Sequence, residues 1–222
     1  AAEVLEQLLE RLAQALEAAG EDRPSPEKVI CAKEVFNEEF SGPLMDCESL
    51  QARVIHLLRD PRAVVASRNY GAYAHSSGTR YPLMFILRSW QRSVHYARLN
   101  AGHPRFLMLR YEDLVQRPEL TARNLCGFMG LPFDAAMLDA GSFTDASGRP
   151  WKGNSSFAVS AGGEAGAVDR WQKVLSEQEV RMIEDVCGEG MIWLGYPLVY
   201  QDGGRAEVQA FREWCPDYPE WL

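Results

Sequence analysis

Val54-Ile55-His56-Leu57-Leu58-Arg59-Asp60-Pro61-Arg62-Ala63-Val64-Val65-Ala66-Ser67-Arg68 is the stretch that decides the fold class of this chain. It opens as an apolar run of strand length and stops abruptly at Arg-Asp-Pro-Arg. Asp60 is a good N-cap and Pro61 is pre-set for the first helical position, so the stretch reads as strand, tight turn and helix. Arg59 then stands at the carboxyl end of the strand, and Ser67 lies two turns into the helix. Ligands collect at that edge of an open α/β sheet. A guanidinium fork and a hydroxyl held there suit a phosphate group. The same residues also serve the plainer purpose of ending a strand and capping a helix.

This stretch resembles the 3′-phosphate-binding motif of sulfotransferases that use 3′-phosphoadenosine 5′-phosphosulfate (PAPS). In that family an arginine at the strand end and a serine two turns into the helix hold the 3′-phosphate of the nucleotide. The resemblance puts Arg59 and Ser67 in those roles. The wording Arg-Asp-Pro-Arg-Ala-Val is similar to the Golgi carbohydrate and tyrosylprotein branches. A second block is similar to the same family: Arg110-Tyr111-Glu112-Asp113-Leu114-Val115, then Arg117-Pro118, then Phe128-Met129-Gly130-Leu131-Pro132-Phe133. There a strand ends in Tyr-Glu-Asp-Leu and a helix runs to a Gly-Leu-Pro-Phe turn. The resemblance makes Tyr111 a candidate nucleotide contact. The residues themselves leave a second option, in which Tyr111 packs while Glu112 and Asp113 cap the next helix.

The chain is long enough for one large domain or two small ones and can bury a real core, and its formal charge of −8 argues against a general nucleic-acid binder. The distribution matters more than the total. Residues 53–110 carry ten arginines and all four histidines against a single acid, Asp60, so this window suits a polyanionic ligand. Cys31, Cys47, Cys126, Cys187 and Cys215 are too scattered for a disulfide scaffold and show no metal-ligand spacing. Cys31 and Cys126 sit in apolar runs and read as core thiols. No run approaches the length of a transmembrane helix, and no signal peptide is visible. The chain starts at Ala and reads as a processed, trimmed or partial product; no membrane anchor is read in it, and that says little about the full-length protein.

Residues 1–19 carry an apolar stripe of helical period opposite an acidic face, which predicts a packing helix, and residues 20–26 end it with turn chemistry. Residues 28–35 read as a buried strand, with Val29-Ile30-Cys31-Ala32-Lys33 similar to a family strand that precedes the Arg-Asp-Pro-Arg strand. A competing alignment makes Glu34 a candidate catalytic base. Residues 71–79 read as a polar loop and residues 81–100 as a long helix, with Phe85, Leu87, Trp90, Val94, Ala97 and Leu99 as its apolar contacts. Arg88, Arg92 and Arg98 on that helix read as a solvated face or as a contact for an acidic glycan. Another strand is expected over residues 105–110. Residues 141–168, rich in Gly, Ser and Ala, read as a long loop holding Lys152, Asn154, Ser155 and Ser156. Loops of that length are often functional. The resemblance makes these four candidate lid contacts over the nucleotide, although Asn-Ser-Ser is also a glycosylation sequon. Ser176-Glu177-Gln178-Glu179 is a capping box that starts a final helix ending near Leu194-Gly195-Tyr196.

The reading is therefore one α/β domain over residues 1–222, with a mainly parallel sheet flanked by helices, like P-loop nucleotide-binding folds. Residues 1–26 are the leading helix and turn, 27–198 the family-like core and 199–222 a tail. The resemblance covers about 28–198 and lacks the Gly/Ser-rich loop that cradles the 5′-phosphosulfate in the family, which implies a fragment or a divergent member. The implied chemistry is sulfuryl transfer from PAPS to a carbohydrate hydroxyl in the Golgi lumen or at its membrane, with a glycan as partner, no nucleic acid and no metal. Tyrosine sulfation of a protein acceptor and a non-catalytic nucleotide-binding remnant are the two alternatives.

Overall fold

The computed structural model describes residues 31, 33, 35–71, 78, 80–139, 141, 143, 144, 148–150 and 168–200. A 3₁₀ turn at Glu38–Phe40 leads into the short helix α1, Ser41–Asp46. Strand β1 is Val54–Leu58 and helix α2 is Pro61–Tyr70. Helix α3 is Leu83–Asn100 and strand β2 is Phe106–Arg110. Helices α4, Tyr111–Gln116, and α5, Pro118–Met129, follow directly. A 3₁₀ turn at Ala135–Leu138, helix α6, Trp171–Val174, and helix α7, Glu177–Trp193, complete the order. β1 and β2 are neighbours in one sheet and run parallel, the Val54 N–H donating to the Arg105 carbonyl at 2.8 Å where both begin. A parallel sheet flanked by helices is the α/β class expected from the sequence.

The chain divides into two compact units, residues 1–56 with 96–107, and residues 57–95 with 108–222. In the first, Met45, Ala97 and Phe106 are buried, and the buried His56 ring meets Phe106 edge-on at 5.7 Å. Burial pulls the His56 pKa below its ordinary value against an opposing pull from Glu38, so the imidazole packs as a neutral ring. Arg105 ties this unit together by donating to the Met45 carbonyl at 2.9 Å and to Glu48 at 3.2 Å.

The second unit owes its packing to helical periodicity. α2 buries Arg62, Val65, Ala66 and Asn69, one face of a 3.6-residue helix. α3 buries Leu83, Ile86, Leu87, Trp90 and Val94, and α7 buries Val180, Ile183, Cys187 and Met191. The Ser176 capping box is formed as expected, with Ser176 and Glu179 each satisfying the other's backbone. Gly130 closes α5 at φ +73°, and the Leu131 N–H reaches back to the Cys126 carbonyl at 2.9 Å. Only glycine adopts that left-handed cap without strain, so the Gly-Leu-Pro turn follows from local chemistry.

Several sequence expectations need correction. In residues 28–35 the described Cys31, Lys33 and Val35 are exposed and lie outside any strand, and Phe36 follows at φ +82°. An apolar run of four residues does not specify a sheet partner, and here the chain turns into the 3₁₀ segment instead. Cys31 is thus a surface thiol, whereas Cys126 is buried as expected. On α3, Phe85 and Leu99 are exposed, at 44% and 65%, because the buried stripe passes through Ile86 and Leu83. The helix expected over residues 1–19 and the tail beyond Tyr200 lie outside the described residues. No helix among the described residues is long and apolar enough to cross a membrane.

Candidate functional site

β1 delivers Arg59 to the strand's carboxyl tip, and the turn that follows is made by side-chain capping. Asp60 Oδ1 accepts the Arg62 N–H at 2.8 Å, and Pro61 occupies the first helical position. Arg59 is half-buried, and its guanidinium carbon lies 4.4 Å from the centroid of the Tyr111 ring. The two sequence blocks thus meet here, one supplying a cation and the other an aromatic face. Ser67 is half-buried on α2. Neither Arg59 nor Ser67 is walled off in the interior. Glu34, Lys152, Asn154, Ser155 and Ser156 lie outside the described residues.

Beneath Arg59 is a buried polar network that the sequence did not reveal. Arg62 is 2% exposed and donates through Nη2 to Asp60 at 2.6 Å and through Nη1 to Glu184 at 2.6 Å. Its guanidinium also lies 4.1 Å over the Trp171 ring. Burial works against the charged form of Arg62, but Asp60 and Glu184 outweigh it and hold its pKa above the ordinary arginine value. Glu184 in turn accepts the backbone N–H groups of Val199 at 3.0 Å and Tyr200 at 2.9 Å. One arginine from the expected basic window is therefore neutralised inside the protein. Arg105 and Arg110 from the same window are also paired with acids, Glu48 and Asp113.

The Tyr-Glu-Asp segment does not cap α4. Arg110 occupies the N-cap position with no side-chain cap bond, which corrects the capping alternative for Glu112 and Asp113. Glu112 is buried and accepts the Asp60 N–H at 3.0 Å and the Tyr196 hydroxyl at 2.7 Å. Burial, reinforced by Glu112, pushes the Tyr196 hydroxyl well above the usual phenol range, so it stays a donor. Asp113 takes a two-pronged bond from Arg110, at 2.8 and 3.0 Å, and a further one from Arg117. Arg110 also donates to the Leu194 carbonyl at 3.0 Å, so the Leu-Gly-Tyr segment is bound to this site from two sides. The Asp113 pairs are local, at i,i+3 and i,i+4, whereas the roles of Glu112 and Tyr196 come from contacts between residues far apart in sequence, which no local signal marks.

The Arg110 hydrogen bond is the main cause that lowers the Asp113 pKa from 3.8 to about 2, with Arg117 adding to it. A carboxylate with a depressed folded-state pKa contributes stability that is present above its unfolded value and lost as pH falls through the folded one. Wild-type protein is therefore expected to lose stability relative to Asp113→Asn as pH falls from 3.8 to about 2. Urea denaturation midpoints measured across that range check this, and parallel pH profiles for the two proteins would rule it out.

Comparison with known proteins bears on what this site belongs to. The chain spans about half the length of the curated relatives it matches. Carbohydrate sulfotransferase 7 of Rattus norvegicus is 30% identical over 247 residues, covering 90% of this chain and 49% of that protein. Carbohydrate sulfotransferase 6 of Homo sapiens is 30% identical over 196 residues, covering 78% of this chain and 49% of that protein. Among solved structures, the sulfotransferase domain from the curacin biosynthetic pathway superposes with a TM-score of 0.57 at 19% identity, over 78% of this chain and 64% of that one. That likeness supports the sulfotransferase type of α/β fold. The model of the sulfotransferase family matches residues 2–135, which take in β1, Arg59, Tyr111 and the Gly-Leu-Pro turn. With more than half of its length matched, the chain belongs to the sulfotransferase family.

Proposed function

We propose that this chain takes part in transferring a sulfuryl group from PAPS to a carbohydrate hydroxyl, with residues 1–222 acting as one domain in the Golgi. The observation that carries the reading is the position of Arg59: at the tip of β1, half-buried, over the Tyr111 ring and ahead of a helix that begins at Pro61. A guanidinium so placed suits the 3′-phosphate that distinguishes this donor from other adenine nucleotides. Ser67 on the same helix is the proposed second ligand. Tyr111 is the proposed wall against which the nucleotide is oriented. The names of the curated relatives support a sugar acceptor over a tyrosine one.

In the transfer the acceptor oxygen attacks sulfur in line, a new S–O bond forms, and the S–O bond to the 5′-phosphate breaks. A base takes the hydroxyl proton and the leaving nucleotide keeps the bonding electron pair. Glu34 is the candidate base, and Lys152, Asn154, Ser155 and Ser156 are the candidate lid groups. Positive side chains and backbone donors would offset charge building on the leaving phosphate. Calorimetry is expected to show tighter binding of adenosine 3′,5′-bisphosphate than of adenosine 5′-monophosphate. Radiolabelled sulfate transfer should then favour glycan over tyrosine-peptide acceptors. Equal affinity for the two nucleotides would remove the 3′-phosphate assignment. Nucleotide preference without transfer to either acceptor would leave the non-catalytic reading in its place.

A further inference from the structure

Building on Arg59 as a phosphate ligand, we propose that Trp90 and Glu112 are positioning residues that aim its guanidinium by holding one peptide unit from both ends. The Arg59 carbonyl accepts the Trp90 indole N–H at 2.8 Å. Across the same peptide bond, the Asp60 N–H donates to Glu112 Oε1 at 3.0 Å. In a planar trans peptide these two groups point in opposite directions. Fixing both sets the orientation of the plane, hence ψ of Arg59 and φ of Asp60, and with them the direction in which the Arg59 side chain leaves the backbone.

Both holding groups are themselves immobilised. Trp90 is 5% exposed and Glu112 6%. Trp90 rests against Gly190 of α7, where an added Cβ would stand 2.8 Å from its ring. Glu112 is steadied by the Tyr196 hydroxyl at 2.7 Å. The peptide leaving a strand is usually held by a neighbouring strand. Here two side chains from α3 and α4 hold it instead, and they converge on the peptide that carries the proposed phosphate ligand Arg59.

The test is the ratio of affinities for adenosine 3′,5′-bisphosphate and adenosine 5′-monophosphate, measured by calorimetry on the 222-residue chain. Trp90→Phe keeps an aromatic ring and removes only the N–H, and is expected to lower the ratio about tenfold, equivalent to about 1.4 kcal/mol. Glu112→Ala should lower it to a similar extent. Glu112→Gln retains an acceptor for the Asp60 N–H and should restore most of it. Tyr70→Phe, which removes a half-buried bond to Glu179, is the control: it should lower the thermal midpoint and leave the ratio intact. A wild-type ratio near one overturns the assignment of Arg59 itself, and the positioning role with it. A high wild-type ratio that survives both Trp90→Phe and Glu112→Ala overturns the positioning role alone. An equal fall in Tyr70→Phe overturns it too, because general loosening then accounts for the loss. If Glu112→Ala does not fold, Trp90→Phe decides.

Discussion

Arg62→Met is expected to destabilise the protein by about 3–5 kcal/mol, because it strips the guanidinium from between two buried carboxylates. Asp60 and Glu184 have side chains 7% and 2% exposed, and each takes a 2.6 Å bond from the guanidinium. Methionine matches the length of the arginine stem, so the larger part of the loss would be electrostatic, with the guanidinium's contact on Trp171 lost as well. That cost is a large part of the roughly 5–15 kcal/mol that holds a typical domain folded. Glu184→Gln should be far milder, about 1–2 kcal/mol, since an amide oxygen can still accept from Val199 or Tyr200 while Arg62 keeps Asp60. Urea denaturation of both variants measures the contrast. An Arg62→Met cost below about 1 kcal/mol would mean that water or a local rearrangement relieves the carboxylates, and the network would then not be the structural base of the Arg59 turn.

The contrast between Arg59 and Arg62 shows where sequence reading stops. Asp60 and Pro61 act over a few residues, so the end of β1, the start of α2 and the alignment of Arg59 with the strand tip are all legible locally. The Ser176 capping box and the Gly130 cap are legible for the same reason. Arg62 looks like one more member of a basic window until Glu184, 122 positions away, is brought against it. Glu112 follows a tyrosine and opens a helix, which is the pattern of a capping acid. Tertiary contact instead sends its carboxylate to Asp60 and Tyr196. Apolar runs mislead in the same way: residues 28–35 carry strand composition, but the described ones are exposed. Composition indicates what a segment is able to bury and does not indicate which surface it meets.

Arg59→Ala is expected to weaken adenosine 3′,5′-bisphosphate binding by about 10–100-fold while leaving adenosine 5′-monophosphate nearly unchanged, since charge-assisted bonds are worth about 1.5–3 kcal/mol. The effect should fall on the ligand and not on the fold. The Trp90 and Glu112 bonds at this turn run through its carbonyl and the next N–H, which alanine retains. The cation–π contact with Tyr111, about 0.5–1 kcal/mol at a half-buried site, goes with the side chain. Arg59→Lys separates charge from geometry. A lysine restores the positive charge without the planar fork, so its affinity should fall between wild type and alanine and be more sensitive to salt. Ser67→Ala removes a single neutral hydroxyl and should cost only about 2–10-fold. If Arg59→Ala weakened the two nucleotides equally, the residue would be acting through the shared adenosine or 5′-phosphate. If it weakened neither, the guanidinium on Tyr111 would be packing alone, and the 3′-phosphate would have to be read by another part of the chain.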